Sequence, residues 1–79
     1  MIAVDVETTG TDPQKHSILS IGALDFNNPT NLFYDQCRIW DGAHVEDEAL
    51  AISGFSPLEI RDPDAQSEPE LVANFLAWA

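Results

Sequence analysis

Three β-type runs crowd into the first 40 residues, separated only by short, turn-rich connections. This spacing constrains the fold more than any other feature, because strands joined by short links pair antiparallel with their neighbours in sequence. Residues 1–7 alternate and are rich in β-branched side chains, which predicts a first strand. Thr8-Thr9-Gly10-Thr11-Asp12-Pro13 is dense in turn formers. Ser17–Phe26 predicts a second strand, with Ile18, Ser20, Gly22 and Leu24 on one face and Leu19, Ile21, Ala23 and Asp25 on the other. Neither face is wholly polar, which places this strand in the middle of a sheet. Asn27–Asn31 forms a turn, and Leu32–Trp40 predicts a third strand. The first half of the chain is thus expected to be a three-stranded antiparallel meander.

The pattern then changes to helical. Glu46–Ile52 predicts a short helix with acids in its first turn and Gly54 beyond its end. Ser56-Pro57 opens a short helical turn through Ile60, and Asp62-Pro63-Asp64 breaks the chain. Ser67-Glu68-Pro69-Glu70 is a capping-box pattern. Leu71, Val72, Phe75, Leu76 and Ala79 then follow one helical face. A helix of ~10 residues needs packing to be stable, and the sheet is the surface available. The expected class is α/β.

The 79 residues suffice for one small domain. Cys37 is the only cysteine, so no internal disulfide forms, which fits a reducing compartment. The start of the chain lacks a basic segment before an apolar run, and no apolar run approaches the ~20 residues of a membrane span. The expected location is cytoplasmic, with no membrane partner. Fourteen acids against three basic residues give a net charge of −11. Lys15, Arg38 and Arg61 are too few for the usual basic footprint of a nucleic-acid binder. Two arrangements reconcile such a charge with nucleic acid: a basic groove on sequence not contained here, or divalent metals that supply the positive charge.

The sharpest local feature is Val4-Asp5-Val6-Glu7-Thr8-Thr9-Gly10. Residues two apart on a strand share a face, so Asp5 and Glu7 lie together, about 7 Å apart along the backbone. Val4 and Val6 are expected to face the other way, into the core. Two neighbouring carboxylates repel unless a cation sits between them. Mg²⁺ or Mn²⁺ suits such an oxygen-only pair.

Asp5-x-Glu7-Thr8-Thr9-Gly10 after an apolar strand, followed by Ile18-Leu19-Ser20-Ile21-Gly22-Ala23, resembles the first motif of the DEDD (DnaQ-like) 3′–5′ exonucleases. Glu48–Ser56 resembles the family segment that often reads Ala-x-x-x-His-Gly-Ile-Thr, with Ser53 where many relatives have His. Ser67–Ala79 resembles the helix that precedes the family's second acidic motif. The resemblance implies a ribonuclease H-like fold, of which residues 1–79 are the N-terminal part, truncated before that second motif. It implies two metal ions, with Asp5 ligating both and Glu7 ligating one while helping to position the attacking water. It further implies release of 5′-nucleotides from the 3′ end of single-stranded DNA or RNA. Thr8 and Thr9 match residues that approach the terminal nucleotide, through backbone groups and a hydroxyl. Phe55 matches the apolar residue near the terminal base. The family's two further aspartates and its His or Tyr base have no counterpart here, so the chain alone is expected to be inactive.

The remaining conspicuous residues have simpler readings. His16 and His44 are expected to be solvated loop residues, and Cys37 a buried small side chain. Trp40, Trp78, Phe33 and Phe75 are expected in the core, and Phe26 and Phe55 partly exposed. Glu46, Asp47 and Glu48 read as a helix-start charge bias. A competing function is a non-catalytic acidic module, derived from an exonuclease, that binds a protein partner at an exposed sheet edge. A third has the missing motifs supplied by a second polypeptide.

Overall fold

The period-two alternation becomes a three-stranded antiparallel sheet in the computed structural model, which describes residues 1–79. The strands are β1 (Ile2–Thr8), β2 (Ile18–Asp25) and β3 (Leu32–Gln36), in the order β1-β2-β3. β2 is central, as its two-sided apolar content requires. Val4 pairs with Ala23, Asp5 with Gly22, Val6 with Ile21 and Glu7 with Ser20. On the other side, Gly22 pairs with Tyr34 and Ala23 with Phe33.

The third strand is shorter than expected. It ends at Gln36, not Trp40. The Cys37 N–H still donates to the Leu19 carbonyl, but the Arg38 N–H turns to the Gln66 carbonyl and the Ile39 N–H to the Ile60 carbonyl. Alternation continues in the sequence while the hydrogen-bond partners change from a strand to loops.

Helix α1 (Asp47–Ser53) ends on Gly54, whose φ of 81° closes the left-handed cap and sends its N–H to the Leu50 carbonyl. A 3₁₀ turn follows at Glu59–Arg61. It opens on a reciprocal pair: the Ser56 N–H donates to Glu59 Oε1, and the Glu59 N–H donates to Ser56 Oγ. Helix α2 (Glu68–Trp78) opens on the expected capping box between Ser67 and Glu70.

The helical segments pack on the face of β2 that carries Leu19 and Ile21. Leu19 meets Leu50 and Ile60, with Ile39, Val45 and Phe55 against them. Ile21 meets Cys37 and Leu71, with Phe33, Val72 and Phe75 against them. Leu71, Phe75 and Trp78 form the working face of α2, and the Trp78 indole donates to Asn31 Oδ1 at 2.8 Å. Leu76, expected on that face, is exposed, because at about 100° per residue it lies well around the helix from the direction shared by Leu71, Phe75 and Trp78. Phe33, Phe75 and Trp78, expected in the core, pack together but stay half-buried at its margin.

Val4 and Val6 depart from expectation. They share a face with Ala23 and Ile21, yet they are 49% and 42% exposed. β1 is an edge strand, and α2 lies over β2 and β3 instead. The outer edge of β1 is therefore unpaired and flanked by the exposed side chains of Ile2, Val4 and Val6. No helix is long and apolar enough to cross a membrane.

Candidate acidic site at the end of the first strand

Strand geometry delivers the expected pair. Asp5 and Glu7 project from the same face of β1, the face opposite Val4 and Val6. Asp5 lies across from Gly22, so β2 places no side chain beside its carboxylate. A methyl added at Gly22 would touch Tyr34 at 3.6 Å, an ordinary contact, so the glycine leaves space open and does not admit a closer backbone. Asp5 is exposed and Glu7 half-buried.

The register shifts between Glu7 and Thr8. Such a bulge bends a strand and re-aims the side chains beside it. Immediately beyond, Thr8 Oγ1 donates to the Gly10 carbonyl at 2.7 Å. Thr9 then ties three segments together. Its N–H donates to the Ser17 carbonyl, and its carbonyl accepts from the Glu46 N–H. Its hydroxyl accepts from the Ser17 N–H at 2.9 Å and donates to the His44 carbonyl at 2.7 Å. Thr9 is completely buried. The expected hydroxyl contact from Thr9 to a nucleotide is therefore not available: that oxygen is already committed, and the residue holds the loop in place.

The Glu46 bond draws the start of α1 against the end of β1. The result is a groove of about 330 Å³ lined by Glu7, Thr8, Thr11, Glu46, Glu48 and Ile52, among others. Glu46 and Glu48, read from sequence as a helix-start bias, thus share a wall with Glu7. Their approach depends on a Thr9–Glu46 bond across 37 residues, which no local spacing reveals. No basic residue lines this groove. No group of three or more His, Cys, Asp or Glu side chains is placed to hold a metal ion.

His16 also departs from expectation. Its side chain is only 9% exposed, and Nε2 lies 3.4 Å from Glu46 Oε1. The ring fills the space over Gly10, where any added Cβ would fall 2.3 Å from it. It stands edge-on to His44, with ring centres 6.1 Å apart. Nδ1 lies 3.1 Å from both the Asp12 N–H and the Asp12 carbonyl, so the backbone of Asp12 holds that edge of the ring while Nε2 faces Glu46. His16 packs the loop against α1.

Phe55 is half-buried against Leu19, Leu50 and Ile60 and does not line the acidic groove. Glu68 carries a role missed in the sequence. Its Oε2 accepts from the Ile18 N–H at 2.8 Å and from Ser17 Oγ at 3.1 Å, clasping α2 to the start of β2. Cys37 is buried and free, and burial pushes its thiol up to about 11. A thiol held neutral is a packing group and not a nucleophile.

Comparison with known proteins places this arrangement. Residues 2–79 match the exonuclease family model, and the chain belongs to that family. Its three-stranded antiparallel sheet and two helices match part of an exonuclease ribonuclease H-like fold. Cell-death related nuclease 4 is a structural neighbour, with a TM-score of 0.66 at 15% sequence identity. The match covers 98% of this chain and 28% of that one. No curated protein sequence matches significantly.

Proposed function

We propose that this chain is the front part of a metal-dependent 3′–5′ exonuclease domain, in which Asp5 and Glu7 supply the first metal ligands. The observation that carries the reading is the shared face of these two carboxylates at a bulged strand end, in a chain of the exonuclease family. The donor set fits a hard divalent ion such as Mg²⁺ or Mn²⁺, because both donors are carboxylate oxygens. The pair is only part of a set, since no third ligand joins it. When bound, such ions activate water and stabilise the leaving 3′ oxygen of a phosphodiester. The chain's own residues position that chemistry. β1 fixes the two carboxylates, Thr9 and His16 hold the loop beside them, and Thr8 together with the groove wall offers contacts for a terminal nucleotide. A groove with three carboxylates and no basic side chain repels phosphate, so substrate entry there depends on cations. The buried, unpaired Cys37 supports a reducing, cytoplasmic setting.

Titration of Mn²⁺ into isotopically labelled chain tests the metal reading. Line broadening should centre on the Asp5 and Glu7 amides and vanish in the Asp5→Asn/Glu7→Gln variant. Broadening spread evenly over all the acids would remove the assignment. The chain alone should leave a 5′-labelled oligonucleotide intact; metal-dependent cleavage abolished by Asp5→Ala would show that it needs no further motifs.

One observation favours a second reading, that of a protein-binding module. The unpaired β1 edge, flanked by exposed Ile2, Val4 and Val6, is a template for strand addition. A monomer in sedimentation at high concentration, with Val4→Lys as stable as the parent, would weigh against any strand at that edge.

A further inference from the structure

Away from the acidic groove, a concavity of about 470 Å³ opens between the turn Trp40–Ala43 and the end of the 3₁₀ turn. That volume lies in the range of ligand sites. Arg38, Trp40, Asp41, Gly42, Arg61 and Pro63 line it, among others. Its walls are fixed by backbone bonds. The Ile39 N–H reaches the Ile60 carbonyl at 2.8 Å, and the Ala43 N–H closes the turn onto the Trp40 carbonyl at 3.1 Å. Trp40, expected in the core, is only half-buried and contributes to this wall.

Arg38 and Arg61 are two of the three basic residues in the chain. Neither has a carboxylate within ion-pair distance, although the chain holds 14 acids. Each guanidinium spends an Nη1 N–H on a carbonyl, that of Ala65 for Arg38 and that of Pro57 for Arg61. The other N–H donors of the two forks are free of such bonds, and a guanidinium fork matches a phosphate group. Trp40 lines the same groove, and an indole supplies a surface on which a base stacks.

We propose that this groove holds an upstream nucleotide of single-stranded nucleic acid, with phosphate on Arg38 and Arg61 and the base against Trp40. The proposal rests on the exonuclease reading and extends it to the path of the strand. Ala43 lines this groove and Glu46 lines the acidic one. Three peptide steps separate them, at most about 11 Å. The proposed path has one strand lie across the arginines while its end enters the acidic groove. Asp41 lines the same groove and opposes phosphate, so affinity depends on the two arginines outweighing it.

The test is fluorescence anisotropy of a labelled oligothymidylate titrated with the 79-residue chain in EDTA at low salt. EDTA removes any metal contribution, so the arginine groove is read alone. Binding should appear and should weaken with salt at a log–log slope near about −1.4, for two phosphates. Arg61 is exposed, so Arg61→Ala should preserve the circular dichroism spectrum while weakening binding about tenfold. Arg61→Glu should weaken it further. Trp40→Leu should weaken binding, and Trp40→Phe should retain most of it. Equal binding by the parent, Arg61→Glu and Trp40→Leu overturns the proposal. So does binding that needs Mg²⁺ and ignores Arg61→Glu, an outcome that leaves the acidic site standing. Absence of binding in both buffers also overturns it; the Mn²⁺ titration, which uses no oligonucleotide, then judges the acidic site independently.

Discussion

A Thr9→Val exchange removes a hydroxyl that satisfies the Ser17 N–H and the His44 carbonyl at once. The Ser17 N–H would then be left without a partner in a fully buried position, whereas the His44 carbonyl belongs to an exposed residue. The expected loss is about 2 kcal/mol, within the roughly 1–3 kcal/mol of one unsatisfied buried group. Thr9→Ser keeps the oxygen and should retain most of the stability; urea denaturation of the three proteins makes the comparison. Cys37 supplies a pH dependence at the same scale. Its folded thiol is raised from 9.0 to about 11, chiefly by burial. The stabilisation is therefore fully present below pH 9.0, where the thiol is protonated in both states, and is lost as pH rises toward about 11. Cys37→Ala should flatten that alkaline loss relative to the parent, measured by denaturation across this window.

Helix α2 depends on its first turn in two separate ways. Ser67→Ala removes the cap to the Glu70 N–H and should cost about 1 kcal/mol. Glu70 is held below the usual carboxylate range, first by its bond from the Ser67 backbone N–H and then by the Ser67 side chain. Its contribution is thus present above the ordinary carboxylate range and lost as pH falls through the folded value. Glu68→Ala should cost more than Ser67→Ala, because it strips the Ile18 N–H of its charged acceptor, while the Ser17 hydroxyl keeps the Ile18 carbonyl. Thermal denaturation of both variants gives the order. The cap was legible in the sequence because Ser67 and Glu70 are three residues apart, as were the paired faces of Asp5 and Glu7. The clasp was not, because Glu68 meets β2 only after the chain has folded back. Thr9 and Glu46 were obscured for the same reason. The end of β3 was missed differently: alternation reports which way side chains point, not which segment takes the backbone bonds of Arg38 and Ile39.

The whole molecule carries a net charge of −11, and none of Lys15, Arg38 and Arg61 has a carboxylate within ion-pair distance. Self-repulsion should therefore weigh on the folded state, and added salt should raise Tm by screening it over a length of about 10 Å at 0.1 M. Mg²⁺ should raise Tm further than Na⁺ at matched ionic strength, and Asp5→Asn/Glu7→Gln should erase that difference. The apolar surface is divided as well, with a small core under β2 and β3 and an open row along β1. The clasp of Glu68 has a consequence in time. The meander closes through short loops, whereas the Ile18–Glu68 bond joins residues 50 apart. Short loops close early and distant contacts form late. Loss of the Glu68 carboxylate should therefore leave the refolding rate nearly unchanged and hasten unfolding, so that α2 is the last element to dock and the first to leave.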